Sequence, residues 1–515
     1  MKIKNFVNFL KINKKINFKK NQFKIIVFDR QRIVPSILCS IFSIALAQKN
    51  SSNILIVTNS PNTIYTKIYK SFGITEFYFK FFSNFRIILN SFLETFFGII
   101  QIKKNGFEWF VKNFKLNNIS FGDLIYDLYI RFDKSYLNPR IDLKFLRIFF
   151  IAIVKIKIIY KLLDEKKPKL IISPGGGYAT VTGIASRIAS NLNIKIISPY
   201  LDKKNNISFI NSQDQNCMTL PGGDIKRINK KILLTKLKNI PNKKIEKFIK
   251  DRMNAKVVTN TTNILDLEQL NKKNLYFSRQ NIIEKLFNKK KLDKLILIAP
   301  HAFSDCPHMV GDIFFKDYYN QVYETLHFIN KLNFKNIGWI VRPHPGSKRY
   351  GESGIIEKIV KNLNNDNIKL CVKSITPDNL SKICDNVITC TGTVGLEFAT
   401  QGKFSINAGI PYYSNLDFSK DHKDKKHFFN TIKNIIKIKG LNKKQILLAK
   451  KTLFYFEYFD KGISLKKSKI IDKSVITESA KSANRETIFC KKLIINLKKF
   501  NFENDEMFKS IKNLI

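Results

Sequence analysis

The chain reads as an α/β protein built from two doubly wound, parallel-sheet domains facing a cleft, with helices at the C-terminus. Three observations predict this. Short apolar runs alternate with helix-period segments in both halves. Several of those runs end in polar, glycine-bearing turns, where open α/β sheets bind ligands. The 515 residues, 44% of them apolar, exceed one ordinary domain and can fill two cores.

Residues 1–24 form a basic extension with eight lysines and no acid. No uninterrupted apolar core follows at once, so the extension does not read as a secretion signal. The first domain is expected over 25–285. Strands at 24–29, 53–59, 169–173 and 194–199 alternate with helices at 34–48 and 178–192, around a long Phe-rich helical region. The apolar run 33–47 is too short to span a bilayer and opens at Pro35, which suits a first helical turn. The run 145–160 is interrupted by Arg147, Lys155 and Lys157 and reads as a buried or interfacial helix; no transmembrane segment is expected.

Residues 225–293 are rich in lysine and asparagine with weak periodicity, and a domain boundary is placed near their end. The second domain, 286–440, restarts the alternation. Strands are expected at 295–299, 337–341, 368–372, 386–390 and 404–407, and helices at 318–332, 354–363 and 394–401. Residues 441–515 are expected to be helical.

The formal charge is +50, yet only 13 residues are arginine and the lysines are spread along the whole chain. With abundant Ile, Asn and Phe, this is the mixture an AT-rich coding sequence produces. It argues against nucleic acid as a partner. It is compatible with anionic substrates or a peripheral contact with an anionic membrane. The seven cysteines are odd in number and scattered without a CxxC, which excludes a disulfide framework and structural zinc and points to a reducing, cytoplasmic setting.

Five segments carry the chemistry. After the 386–390 strand, Thr391-Gly392-Thr393-Val394-Gly395-Leu396-Glu397 forms a strand-turn-helix unit that Gly402 ends. Gly392 and Gly395 let backbone approach a ligand, Thr393 is placed to cap the helix, and the helix start suits phosphate. Glu397, one turn inside, is placed to accept hydrogen bonds from ribose hydroxyls. After 337–341, Arg342-Pro343-His344-Pro345-Gly346-Ser347-Lys348-Arg349 holds His344 between two prolines among cations, suited to donating to a phosphate oxygen. After 295–299, His301 to His308 includes Asp305. A metal on His301, Asp305 and His308 matches no trusted spacing, so sugar or phosphate contact is favoured and no metal site is assigned. Ser173-Pro174-Gly175-Gly176-Gly177-Tyr178 is either a tight βα turn or a second wall of the cleft, and does not fit the GxGxxG fingerprint. Asp123 and Asp127 share a helix face, and either one is a candidate base toward an acceptor hydroxyl; Asp127 and Arg131 equally suit a surface ion pair.

Taken together, His301 to Asp305, Arg342 to Pro345, Thr391 to Glu397 with Gly402-Lys403, and less firmly the segment Gly122 to Asp127, resemble the bacterial capsule polysaccharide biosynthesis family of β-Kdo transferases with a GT-B fold. The match covers about 120 residues of the second half. The resemblance implies a glycosyltransferase of capsule or surface polysaccharide. Its two domains would be Rossmann-like, with the first on the acceptor side. The donor is a CMP- or UDP-linked sugar, possession of a tightly bound cofactor is not implied, and the acceptor is a glycan or glycolipid. It assigns His344 to the donor phosphate and Glu397 to the nucleotide. Positive groups at such a turn replace a divalent metal, so transfer is expected to need none. Similar turns occur in CDP-glycerol-type phosphotransferases and GT-B-like sugar epimerases, which stand as alternatives. A non-catalytic polyanion- or membrane-binding protein on a degenerate scaffold is another. The expected location is cytoplasmic, at or near the inner face of the membrane.

Overall fold

A computed structural model describes residues 23–50, 52–60, 62–134, 136–174, 178–201, 207–212, 229–253, 278–309, 312–348, 350–372, 375, 377–458, 463–464 and 505–513. The chain divides into two compact units. One draws on Met1–Leu128, Ile141–Asp224 and Lys461–Ile515, the other on Tyr129–Arg140 and Ile225–Asp460. The basic extension through residue 22, the glycines 175–177, Arg349 and most of 465–515 lie outside the described residues.

In chain order the strands are β1 (Phe23–Phe28), β2 (Asn53–Val57), β3 (Phe77–Tyr78), β4 (Lys115–Leu116), β5 (Ile119–Ser120), β6 (Leu170–Ile172), β7 (Lys195–Leu201) and β8 (Ile207–Asn211). They continue with β9 (Lys294–Ile298), β10 (Asp312–Ile313), β11 (Ile337–Val341), β12 (Ile368–Leu370), β13 (Asn386–Thr389), β14 (Ser405–Asn407), β15 (Gly409–Ile410), β16 (Ser419–Lys420) and β17 (Ile463–Ser464).

The first unit holds a sheet ordered β17-β8-β7-β6-β1-β2-β3. The five strands from β7 to β3 are parallel, and β8 and β17 add an antiparallel edge. Helix Ile33–Asn50 packs Ile37, Ile41 and Phe42 into the core beside β1, joined by Met507, Phe508 and Ile511 of helix Glu506–Lys512. The 145–160 run is a helix, Leu143–Lys166, with Phe145, Phe149 and Ile153 buried. Among the described residues one helix, Phe85–Asn113, is long and apolar enough to cross a membrane by length and composition.

The second unit holds a sheet ordered β12-β11-β9-β13-β14-β16, and every pairing in it is parallel. Its first strand, β9, is central. The chain adds β11 and β12 on one side, then returns to add β13, β14 and β16 on the other. The order therefore reverses between β9 and β13. The strand sequences fit this place: Ile337 to Val341 and Asn386 to Thr389 are apolar or neutral throughout and buried at every position, as strands covered on both faces must be. The abundant asparagine ends helices here. Asn288, Asn333 and Asn364 adopt positive φ at the C-termini of Arg279–Phe287, Tyr318–Leu332 and Ile355–Leu363.

Unit boundaries fall elsewhere than at 285 and 440. Helix Asn242–Met253 belongs to the second unit because Phe248 packs edge-on to Phe454 of helix Lys443–Tyr458. Helix Arg279–Phe287 buries Ile282, Ile283 and Phe287 against the second sheet. The region past 440 is shared, with Lys443–Tyr458 in the second unit and Glu506–Lys512 in the first.

Phe248→Ala tests this division. It is expected to lower the stability of the second unit by about 3–5 kcal/mol. The probe is urea denaturation followed at Trp339, which is buried in β11, in a Trp109→Phe background. An unchanged Trp339 midpoint would show that helix Asn242–Met253 does not support this unit.

Candidate functional site

Parallel strands put all their carboxyl ends on one edge. The loops after β9, β11 and β13, three adjacent strands, carry His301 to Asp305, Arg342 to Lys348 and Thr391 to Glu397 respectively. The structure thus brings together three segments that lie about 40 to 50 residues apart in sequence, at the point where the strand order reverses.

His301 links two of these loops. Its Nε2 accepts the Thr391 backbone N–H at 3.2 Å, and its ring stacks on Tyr318 with centroids 4.2 Å apart. The Tyr318 hydroxyl lies 3.4 Å from Thr391 Oγ1. A backbone N–H can only donate, so Nε2 is unprotonated and the ring proton sits on Nδ1. Burial first, and then the charge of His344, push the pKa of His301 down to about 3. The imidazole is therefore neutral at physiological pH.

His344 has the opposite tautomer. Its Nδ1 accepts the Gly346 N–H at 3.1 Å, which leaves the proton on Nε2. The Pro343 and Pro345 rings fix the backbone on both sides. Arg342 is half-buried and Lys348 exposed. The Arg342 charge acts on Cys371, whose thiol burial pushes up and this guanidinium pulls down.

Two buried charges that sequence reasoning missed hold the loops. The Glu352 carboxylate is 2% exposed and accepts from the backbone N–H groups of Phe303 (2.9 Å) and Ser304 (3.0 Å) and from Ser304 Oγ (2.8 Å). Its own N–H donates to Ser347 O, so it joins the loop after β9 to the loop after β11. Burial raises its pKa, and these donors and the Arg131 charge oppose the rise. Arg131 lies over the Tyr350 ring at 4.4 Å, and Lys134 Nζ donates to Gly351 O. The second missed charge is Arg252, which donates through Nε (2.9 Å) and Nη2 (2.7 Å) to Glu397 Oε1. Oε2 of Glu397 carries no hydrogen bond among the described residues.

Helix Thr393–Thr400 begins at Gly392, which occupies the cap position with no side-chain cap bond. Thr393 is the first helical residue and does not cap, as the sequence had suggested it would. No side chain therefore caps the first-turn N–H groups, of which that of Gly395 donates to Gly392 O at 3.0 Å. The turn is compact. Tyr413 donates from its buried hydroxyl to Gly392 O at 2.9 Å, and a Cβ on Gly395 would collide with that hydroxyl. A Cβ on Gly392 would stand 2.8 Å from Thr389 Oγ1. Gly402 follows the helix with φ +84°, the expected left-handed stop.

Asp305 is exposed, and His308 Nε2 pairs with Lys316 O at 2.9 Å. No group of three His, Cys, Asp or Glu converges among the described residues. In the first unit, helix Gly122–Asp133 carries Asp123 and Asp127 as expected. Asp123 is held by Arg187 Nη1 at 2.6 and 2.7 Å, and Asp127 is buried. Of the Ser173 to Tyr178 motif, Ser173 is buried and accepts from Ser186 Oγ, and its glycines fall outside the described residues.

No protein-family model matches the chain, and no curated protein matches it in sequence. Solved structures do resemble it. They include a UDP-N-acetylglucosamine 2-epimerase (11% identity, 87% of this chain and 100% of that one, TM-score 0.24). Another is the β-Kdo 2,7 transferase KpsC of Thermosulfurimonas dismutans (17% identity, 66% and 89%, TM-score 0.27). A third is a glycosyltransferase of Rickettsia africae (11% identity, 96% and 100%, TM-score 0.25). At these scores the α/β assignment rests on the strand order itself.

The depressed His301 pKa has a testable sign. The unfolded ring titrates near 6.5 and the folded one at about 3, so the stability it confers is complete above about 6.5 and is lost as pH falls toward about 3. His301→Gln is expected to flatten the stability-versus-pH curve in that window relative to the parent. Parallel curves for the two proteins would contradict a neutral, half-buried His301.

Proposed function

We propose that the chain is a glycosyltransferase of capsule or other surface polysaccharide synthesis, moving a sugar such as Kdo from a UDP- or CMP-linked donor to a glycan or glycolipid acceptor. One observation supports this reading most. Three adjacent parallel strands end in a uncapped helix start, a proline-clamped histidine donor and a half-occupied carboxylate, cross-braced by His301 and Glu352 at the reversal of strand order.

In this reading the donor phosphate lies against the first turn of Thr393–Thr400, where N–H groups and the helix dipole favour anions. His344 donates from Nε2 to a phosphate oxygen. Arg342 and Lys348 add positive charge, Thr391 and Asp305 border the sugar, and no divalent metal is required. Ribose hydroxyls donate to Glu397 Oε2, with Arg252 fixing the carboxylate through Oε1. As the acceptor oxygen bonds to the anomeric carbon, the bond from that carbon to the phosphate oxygen breaks. Its electron pair passes to the nucleotide, where His344 and the helix start stabilise it. The acceptor proton goes to a carboxylate, Asp127 or Asp123. The reaction is placed in the cytoplasm.

Thermal-shift titration with UDP-N-acetylglucosamine, CMP-Kdo and CDP-glycerol, followed by product analysis, tests the reading. A nucleotide sugar should raise Tm and be consumed only with an acceptor. His344→Ala should lower kcat about 100-fold while leaving Tm unchanged. Stabilisation by CDP-glycerol alone would move the assignment to phosphoglycerol transfer, and release of a sugar epimer without acceptor would move it to an epimerase. Full turnover in His344→Ala would remove that residue from the chemistry.

A further inference from the structure

Helix Phe85–Asn113 buries a face of small and mixed residues in the fold and leaves an apolar face exposed. Ser91, Thr95, Gly98 and Ile102 are buried, and Gly98 lies against the Phe149 ring of helix Leu143–Lys166. On the opposite side Phe85, Leu89, Phe92, Phe96 and Ile100 recur every three or four residues and are exposed, Phe85 to 77% and Phe92 to 62%. Phe97, beside them, is exposed to 61%. A contiguous face of this size is uncommon on a monomer and marks an interaction site.

Charge identifies the partner. Residues 79–107 contain four cations, Lys80, Arg86, Lys103 and Lys104, and one acid, Glu94. Glu94 is paired with Lys157 at 3.5 Å. At about 100° per residue, Arg86, Lys103 and Lys104 fall on the same side as the phenylalanines, at the two ends of the apolar stripe. Long cationic side chains there can reach phosphate headgroups while the rings enter the acyl boundary. A protein partner or second copy would have no need of this framing.

We infer that the Phe85 to Ile100 face seats this protein on an anionic membrane, with the helix lying in the interface rather than crossing it. Crossing is disfavoured by the Glu94–Lys157 pair inside the apolar stretch, which would enter hydrocarbon. It is also disfavoured by Gly106, whose φ of 81° and ψ of 171° break the helix. This inference is independent of the nucleotide site.

Sedimentation of the full chain with vesicles tests it, using phosphatidylcholine alone or with about 30% phosphatidylglycerol. The parent should bind the anionic vesicles. The variant F92S/F96S/F97S should bind them at least about tenfold more weakly with unchanged Tm, since these rings are exposed. R86S/K103S/K104S should lose the preference for anionic lipid. If F92S/F96S/F97S binds as the parent does, the scattered lysines alone account for binding and the inference fails. It also fails if the parent binds neither vesicle, or if the parent is a dimer that the triple serine variant dissociates, which would assign the face to a second copy.

Discussion

All six strands of the second sheet point the same way, and this one constraint places the site before any polar residue is considered. Parallel pairing aligns carboxyl ends on a single edge. Starting the sheet at its centre then sends successive crossovers to opposite sides, and the loops after β9 and β13 meet where the strand order reverses. Thr391 and His301 are about ninety residues apart in sequence, yet lie one hydrogen bond apart in space for this reason. The side chains then give that edge its chemistry: a helix start, a histidine donor and cations favour an anion.

Buried charge gives the edge its rigidity. Glu352 and Arg252 are both nearly inaccessible, and withdrawing such groups from water is costly unless they are paired or hydrogen-bonded. Each is satisfied by a functional loop: Glu352 by the Phe303–Ser304 backbone, Arg252 by Glu397. The cost of burial is thereby offset only when the loops hold one geometry, so folding and preorganisation are the same event. His301 completes the pattern by remaining neutral, since its burial and the neighbouring His344 both oppose a charge on its ring.

Much of this was legible in the sequence because it is local. Residues 337–341 and 318–332 form the strand and helix expected to the residue, since an unbroken apolar run and a capped 3.6-residue period leave little ambiguity. The three site loops were legible as polar turns after such runs. What was not legible is long-range. Arg252 and Glu352 find partners 145 and 49 residues away, and nothing in their local sequence signals it. Lysines on helix Asn242–Met253 dilute the Ile245, Phe248, Ile249 face, which displaced the domain boundary. Thr393 was misplaced by one position because Gly392, which has no side chain to cap with, takes the cap. The Phe-rich helix was expected, but that its Gly98 side is the buried one depends on Phe149, from another helix.

Under the proposed function, the carboxyl edge of β9, β11 and β13 grips a nucleotide phosphate. A crystal structure of the chain with bound UDP tests it most directly. The account predicts a phosphate within hydrogen-bond reach of His344 Nε2 and the first turn of Thr393–Thr400, with a ribose hydroxyl on Glu397 Oε2. UDP bound away from those groups, or a carboxylate of Glu397 turned fully onto Arg252 in the complex, would contradict it.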